Sequence, residues 1–334
     1  MRPKNLGTFF SFKHLYRLNK WYNNLIRVEN LTKNYGPVKA VKSVSFDLND
    51  GQVVGFLGAN GAGKSTTLKI MTGYISPTSG NVFVNDLNIQ ENTSEIQKEI
   101  GYLPELNPLY SEMRVHDYLR FIAQIRGIPD EDFKSSFQNV VDKCGLSAVV
   151  HRTIANCSKG YKQRIGLAAA MIHDPKILIL DEPVTGLDPN QIVEIRQLIR
   201  ELGKEKIVLM SSHILQEIQA TVDRIIIINE GAIVADGSSE SLMNDSNSNT
   251  ELSLQVENAK EDDISDMKAV IPSVDIKSIS KEESHTQISI EYSKNSDPRS
   301  DIFKYAVDKE WIILEMVATK QNLEDIFRNL TKSN

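Results

Sequence analysis

In the stretch Gly58-Ala59-Asn60-Gly61-Ala62-Gly63-Lys64-Ser65-Thr66, residues 58–65 fill every required position of the pattern G-x-x-x-x-G-K-[ST]. That pattern binds phosphate. Its glycines let the backbone curl until successive N–H groups point at phosphate oxygens, and a helix that follows adds the positive end of its dipole. Lys64 then reaches the β- and γ-phosphates, and the Ser65 hydroxyl can ligate Mg²⁺. Such a loop needs a strand before it and a helix after it. Val53-Val54-Gly55-Phe56-Leu57 leads in as an apolar strand, and Thr67-Leu68-Lys69-Ile70-Met71 leaves with helical character. A nucleoside triphosphate is the expected ligand.

Further on, Ile177-Leu178-Ile179-Leu180 runs into Asp181-Glu182. A continuously apolar strand suits the centre of a parallel sheet. An aspartate at its end is the expected second Mg²⁺ anchor of a phosphate-loop site. Pro183, Gly186, Leu187, Asp188 and Pro189 follow, then a helix to about Leu202. A second apolar strand, Ile207-Val208-Leu209-Met210, ends at Ser211-Ser212-His213. Between the phosphate loop and these strands, Cys157-Ser158-Lys159-Gly160-Tyr161-Lys162-Gln163-Arg164 precedes a helix expected over Ile165–Ile172.

The remaining elements must hold these pieces in place. Ile26–Leu31 and Val44–Leu48 alternate like strands. Tyr35 sits between them beside Gly36; it could stack on a purine ring or be a half-buried strand residue. Asn81–Val84 reads as a short strand, and Ile100–Glu105 as a strand running into a loop. From Val115 to Val150 the apolar spacing is helical, broken at Gly127-Ile128-Pro129, which predicts a helical insertion in an α/β core.

Composition narrows the function classes. Of 334 residues 40% are hydrophobic and 25% charged, ordinary for a soluble globular chain. A net charge of -6 argues against broad nucleic-acid binding. Cys144 and Cys157 lack metal-ligand spacing and read as reduced thiols. No run approaches the roughly 18 apolar residues of a membrane-spanning helix, so a role at a membrane needs another chain to cross it. Residues 1–25 form a basic, aromatic extension without the apolar core of a signal peptide. It is compatible with an anionic membrane surface or with a loosely ordered tail. Residues 238–250 read as a linker. Residues 251–334 are expected to form a small α+β unit with the succession β-α-β-β-α-β, ferredoxin-like.

Together the phosphate loop, the segment around Ser158, the Asp181-Glu182 strand and His213 resemble, in order and approximate spacing, the ATP-binding subunit of an ABC transporter. The resemblance spans about residues 26–237. Ile100–Glu105 with Asn107-Pro108-Leu109-Tyr110 and the variant signature Ser158-Lys159-Gly160-Tyr161 look like the gliding-motility-associated group, within the drug- and polysaccharide-exporter-like class.

This resemblance implies an α/β fold: a P-loop NTPase core with a helical subdomain at about 105–172. It implies ATP and Mg²⁺ as ligands. Tyr35 would stack on adenine and residues 58–66 would hold the phosphates. Ser65, Asp181 and Glu105 would hold Mg²⁺. Glu182 would be general base or water positioner, and His213 would contact the γ-phosphate. Ser158 and Gly160, with Lys159 beside them, would meet the nucleotide of an opposing subunit, and Asp188 would lie at the seam. The implied partners are a transmembrane permease and a second ATPase subunit, identical or related, at the inner face of the cell membrane, with no nucleic acid. The alternative is a soluble ABC ATPase acting on ribosome or DNA.

Two positions depart from the family pattern. Glu105 stands where glutamine is usual, and Cys157-Ser158-Lys159-Gly160-Tyr161 replaces the common Leu-Ser-Gly-Gly-Gln. The serine and second glycine survive. Lys159 is either an added cation at the phosphate or a solvated loop charge. Tyr110 and Arg114 are candidate coupling contacts.

Overall fold

Alternation of apolar and polar residues early in the chain gives way to continuous apolar runs, and two kinds of sheet result. The computed structural model describes residues 25–245, 250–282, 284–293, 296–319 and 323–331. Two units divide at Ser238/Ser239. The basic, aromatic stretch at residues 1–24 lies outside the described residues.

The first unit begins with β1 (Ile26–Tyr35), β2 (Val38–Leu48) and β3 (Val53–Leu57), followed by α1 (Lys64–Met71), β4 (Ser79–Val84) and β5 (Leu87–Asn88). Helix α2 (Thr93–Glu99) leads into β6 (Ile100–Leu103). Helices α3 (Val115–Ile125), α4 (Asp130–Cys144) and α5 (Lys159–Met171) then separate β6 from β7 (Ile177–Leu180). Next come α6 (Pro189–Gly203), β8 (Ile207–Ser212), the short α7 (Leu215–Gln219), β9 (Arg224–Asn229) and β10 (Ala232–Gly237).

Strands β2, β1, β4 and β5 form an antiparallel sheet in that order. Burial along the early part of β1 alternates, as one covered face requires. The other sheet runs β10-β9-β3-β8-β7-β6, parallel except for the edge strand β10. Every residue of β3, β7 and β8 is buried, which accounts for their unbroken apolar sequence. Because these strands are parallel, their carboxyl ends share one edge, the usual ligand side of such sheets. Register makes this concrete: Leu57 pairs with Ser212, Leu180 with Met210, and Leu103 with Leu180. Gly58, Asp181 and His213 therefore leave the sheet side by side.

One apolar core joins both sheets and α1, with Phe46 and Phe56 ring centroids 5.8 Å apart and Leu68 and Ile70 fully buried. Burying each such side chain stabilises by about 1.5–3 kcal/mol. Helix α5 starts at Lys159, earlier than the Ile165 expected from sequence. Ser158 supplies the reason, because its Oγ caps the helix by accepting from the Tyr161 N–H at 3.3 Å.

The second unit contains α8 (Ser239–Asp245), β11 (Thr250–Glu257), α9 (Glu261–Val270), β12 (Val274–Lys281), β13 (Thr286–Tyr292), α10 (Arg299–Asp308), β14 (Ile312–Thr319) and α11 (Leu323–Thr331). Helix α8 lies within the stretch expected to be a linker. Its Ser-, Asn- and Asp-rich composition masks a helix anchored by buried Leu242. The sheet order is β12-β13-β11-β14, all antiparallel. Leu252, Leu254 and Val256, at alternate positions of β11, share a separate core with Ile264, Met267, Ile302 and Tyr305.

Candidate active site

The phosphate loop turns between β3 and α1 around Gly61 and Gly63, both at positive φ. Gly63 has a φ of 107°, and a Cβ there would come within 2.5 Å of the Ala40 carbonyl oxygen. Only glycine fits that position. Lys64, 5% exposed, donates from Nζ to the carbonyls of Gly58 (2.8 Å) and Ala59 (3.3 Å). Ser65 and Thr66 are half-buried on the first turn of α1, while Ala59, Asn60 and Gly61 are exposed at the loop's crest. Ala62 N–H donates to the Ala59 carbonyl at 3.1 Å and closes that crest.

Asp181 and Glu182 follow β7, 1% and 5% exposed. Such burial is costly for carboxylates unless they are paired and hydrogen-bonded, and both are. Ser211 Oγ donates to Asp181 Oδ1 at 2.6 Å. Around Glu182 three donors converge: Lys64 Nζ lies 3.4 Å from Oε1, Thr185 Oγ1 donates to Oε2 at 2.9 Å, and His213 Nδ1 lies 3.0 Å from Oε2. Glu182 adopts φ 51°, the left-handed region, which costs a residue with a Cβ roughly 1–2 kcal/mol. Its N–H donating to Ser211 Oγ at 2.9 Å helps hold that turn.

A second group of expected site residues stands apart, joined to the first by no hydrogen bond among the described residues. Ser158 and Lys159 are exposed at the start of α5, and the Lys159 amine lies against Gly186, whose φ is 71°. Gly160 is buried against the Gln191 side chain. Asp188 caps α6 by accepting from the Gln191 N–H at 3.0 Å, with Pro189 in the first turn. Arg164 pairs with Glu194 and ties α5 to α6. The members of this group stand at the N-termini of α5 and α6, with Lys159 against Gly186.

Two expected residues lie at the margins. Tyr35 closes β1, half-exposed, with Lys33 Nζ 5.3 Å from its ring centroid. Its hairpin partner is Val38, and the strand continues to Ala40 against Gly63. Tyr35 is thus at the hairpin end of β1, two residues of β2 from the strand segment that meets the phosphate loop. Glu105 is exposed in the loop after β6. Tyr102, next to last in that strand, has its phenol pushed up by burial, and the charges of Asp181 and, less strongly, Tyr74 and Glu105 push the same way.

The donor set suits Mg²⁺. Ser65 offers a hydroxyl, and Asp181 offers a carboxylate whose Oδ2 takes no part in the Ser211 bond, both hard oxygen ligands.

Comparison with known proteins decides the family. The ABC transporter family model matches residues 41–185. The bacitracin transport ATP-binding protein BcrA of Bacillus licheniformis is 33% identical over 310 residues, 92% of this chain and 97% of that protein. The linearmycin resistance ATP-binding protein LnrL of Bacillus subtilis is 31% identical over 310 residues, 92% and 98%. The chain belongs to the ABC transporter ATP-binding family. It spans 25% of a longer relative, ABC transporter A family member 1 of Dictyostelium discoideum, at 34% identity over 222 residues. A solved ATP-binding subunit of an ABC transporter, 28% identical, superposes with a TM-score of 0.60 over 66% of this chain and 92% of that one.

As an ABC ATPase the chain binds ATP. Sequence reasoning left out two partners of Glu182 and Asp181, namely Thr185 and Ser211. Thr185 was hidden in an ordinary turn. Ser211 carried a signal, since a serine ends an otherwise apolar buried strand and so needs a polar partner. No helix among the described residues is long and apolar enough to cross a membrane.

Proposed function

We propose that this chain is the Mg²⁺-dependent ATP-hydrolysing motor of an exporter, working on a separate transmembrane permease at the inner face of the membrane. The observation that carries the reading is the Glu182 carboxylate, buried beside the phosphate loop and held at once by Lys64, His213 and Thr185. Phosphoryl transfer needs positioning and charge stabilisation more than covalent chemistry. Lys64 supplies a cation that can move from the Gly58 and Ala59 carbonyls to the β- and γ-phosphates. Ser65 and Asp181 would hold Mg²⁺, which would supply charge neutralisation there. Glu182 orients and deprotonates the attacking water, and His213, hydrogen-bonded to Glu182, reads the γ-phosphate. Tyr35 stacks on the adenine. Glu105 lies on the metal side, where its extra negative charge tunes turnover.

The second group is the half-site offered to another cassette. Ser158 and Gly160 present a capped helix N-terminus, a positive dipole end suited to a γ-phosphate, with Lys159 and Asp188 beside it. Two cassettes, identical or related, then close over two ATP molecules. Names given to BcrA and LnrL, antibiotic transport and resistance, support outward transport, and their alignments of 310 residues run beyond the first unit. The gliding-motility group is a narrower form of the reading, resting on residues 100–105, 107–110 and 158–161 alone.

The test is ATP turnover with Mg²⁺ by the chain co-purified with its permease, against Glu182→Gln in the same complex. Substrate-stimulated hydrolysis lost in the variant is the expected result. Recovery with ribosomes or DNA and no multi-span partner would sink the transport reading.

A further inference from the structure

Two neighbouring serines end β8, and each is fully buried. Adjacent strand residues face opposite sides, so their hydroxyls serve different partners. Ser212 Oγ donates to Glu217 Oε2 at 2.6 Å and accepts from the Ile214 N–H at 3.0 Å. Ser211 Oγ faces the reaction side, donating to Asp181 Oδ1 at 2.6 Å and accepting from the Glu182 N–H at 2.9 Å. One hydroxyl thus bridges two successive residues with different duties, one through its side chain and the other through its backbone.

Burial alone does not require a serine there. Ile207, Val208, Leu209 and Met210 fill the rest of the strand, all buried. An apolar residue would satisfy packing but leave Asp181 Oδ1 and the Glu182 N–H unpaired inside the protein, a costly arrangement. Glu182 also sits at φ 51°, and strained backbone of this kind persists only where surrounding bonds fix it.

We propose that Ser211 is a positioning residue of the hydrolytic site. It fixes Asp181 with Oδ2 directed to Mg²⁺ and holds the Glu182 turn, so that both carboxylates meet the nucleotide in set orientations. The inference rests on the metal and base roles proposed above for Asp181 and Glu182. Ser211 itself is not among the residues expected to hold metal or nucleotide.

The test compares equilibrium affinity of the full chain for a fluorescent ATP analogue in Mg²⁺ and in EDTA, together with turnover. In Ser211→Ala, the affinity gained on adding Mg²⁺ falls about tenfold, the size typical of outer-sphere ligand partners. Affinity in EDTA stays within about twofold, and kcat falls more than KM rises. Ser211→Thr keeps the hydroxyl and restores most of the Mg²⁺ gain, whereas Ser211→Val, near-isosteric with the threonine variant, does not. That pair carries the test if the alanine variant fails to fold. Ser212→Ala, which loses an equally buried hydroxyl, lowers Tm but keeps the Mg²⁺ gain. Ser211→Ala or Ser211→Val with an undiminished gain, or with equal losses in Mg²⁺ and EDTA, overturns the proposal. An unmodified chain without any Mg²⁺-dependent gain overturns instead the reading of the site on which it rests.

Discussion

Two groups of polar residues in the first unit have the same expected ligand and opposite construction. Lys64, Asp181 and Glu182 are buried, and each has its partners within the chain. Ser158, Lys159 and Asp188 are exposed, and among the described residues the side chains of Ser158 and Asp188 bond no further than capping their own helices. A buried, self-satisfied cluster is a site that one chain can preorganise. In the proposed reading, the exposed cluster of capped helix ends is the half that a second cassette completes. The contrast is the physical argument for a motor that burns ATP only between two cassettes.

Breaking the buried group should have the largest effect. Lys64→Ala removes a cation that touches both the loop carbonyls and Glu182, and it should abolish detectable ATP binding as well as turnover. Glu182→Gln keeps the hydrogen-bonding shape but removes the charge, so ATP should still bind while turnover falls about 10²–10³-fold, the scale of losing one preorganised electrostatic group. Equal binding by Lys64→Ala and the unmodified chain, measured by calorimetry, would erase the contrast at its root.

A charge placed on the exposed group should act differently. Ser158→Arg is predicted to leave ATP affinity of the isolated chain within about twofold and to cut turnover at least about tenfold, because only the partner's nucleotide is touched. If affinity and turnover fell together, the two groups would belong to one site. Asp188→Ala sharpens the comparison further: loss of the α6 cap should cost about 1 kcal/mol, read as a lower urea midpoint.

The smallest expected effect lies outside both groups. Burial, helped by the Arg126 charge, holds His173 down at about 4 in the folded chain, against a bond from its ring to the Ile100 carbonyl at 3.2 Å. The unfolded chain takes up that proton near the ordinary value of 6.5. Stability from this group is therefore complete above 6.5 and is lost as pH falls toward 4, by no more than about 1 kcal/mol given its partial exposure. His173→Gln should flatten that stretch of the Tm-against-pH curve.

Much of the buried group was legible in sequence, because phosphate-loop glycines and an apolar strand ending in two acids admit few other structures. The succession of elements in residues 251–331 was legible too, since strand alternation at Leu252, Leu254 and Val256 is regular. What escaped was polar support arriving from a distance. Ser211 meets Asp181 across thirty residues of chain, and no local pattern encodes that pairing. The early start of α5 escaped because Lys159-Gly160 does not look helical, yet a cap at Ser158 starts it. Helix α8 escaped because its composition is that of a linker.

The central claim is that two cassettes share each ATP, and the molar mass of Glu182→Gln in excess Mg²⁺ and ATP tests it most directly. Light scattering should give a particle of two cassettes, twice the 37.5 kDa chain if they are identical, holding two ATP and reverting to single chains when Ser158→Arg is added. A particle that keeps one cassette at every nucleotide concentration, while the unmodified chain hydrolyses ATP at a rate per molecule independent of protein concentration, would contradict the account.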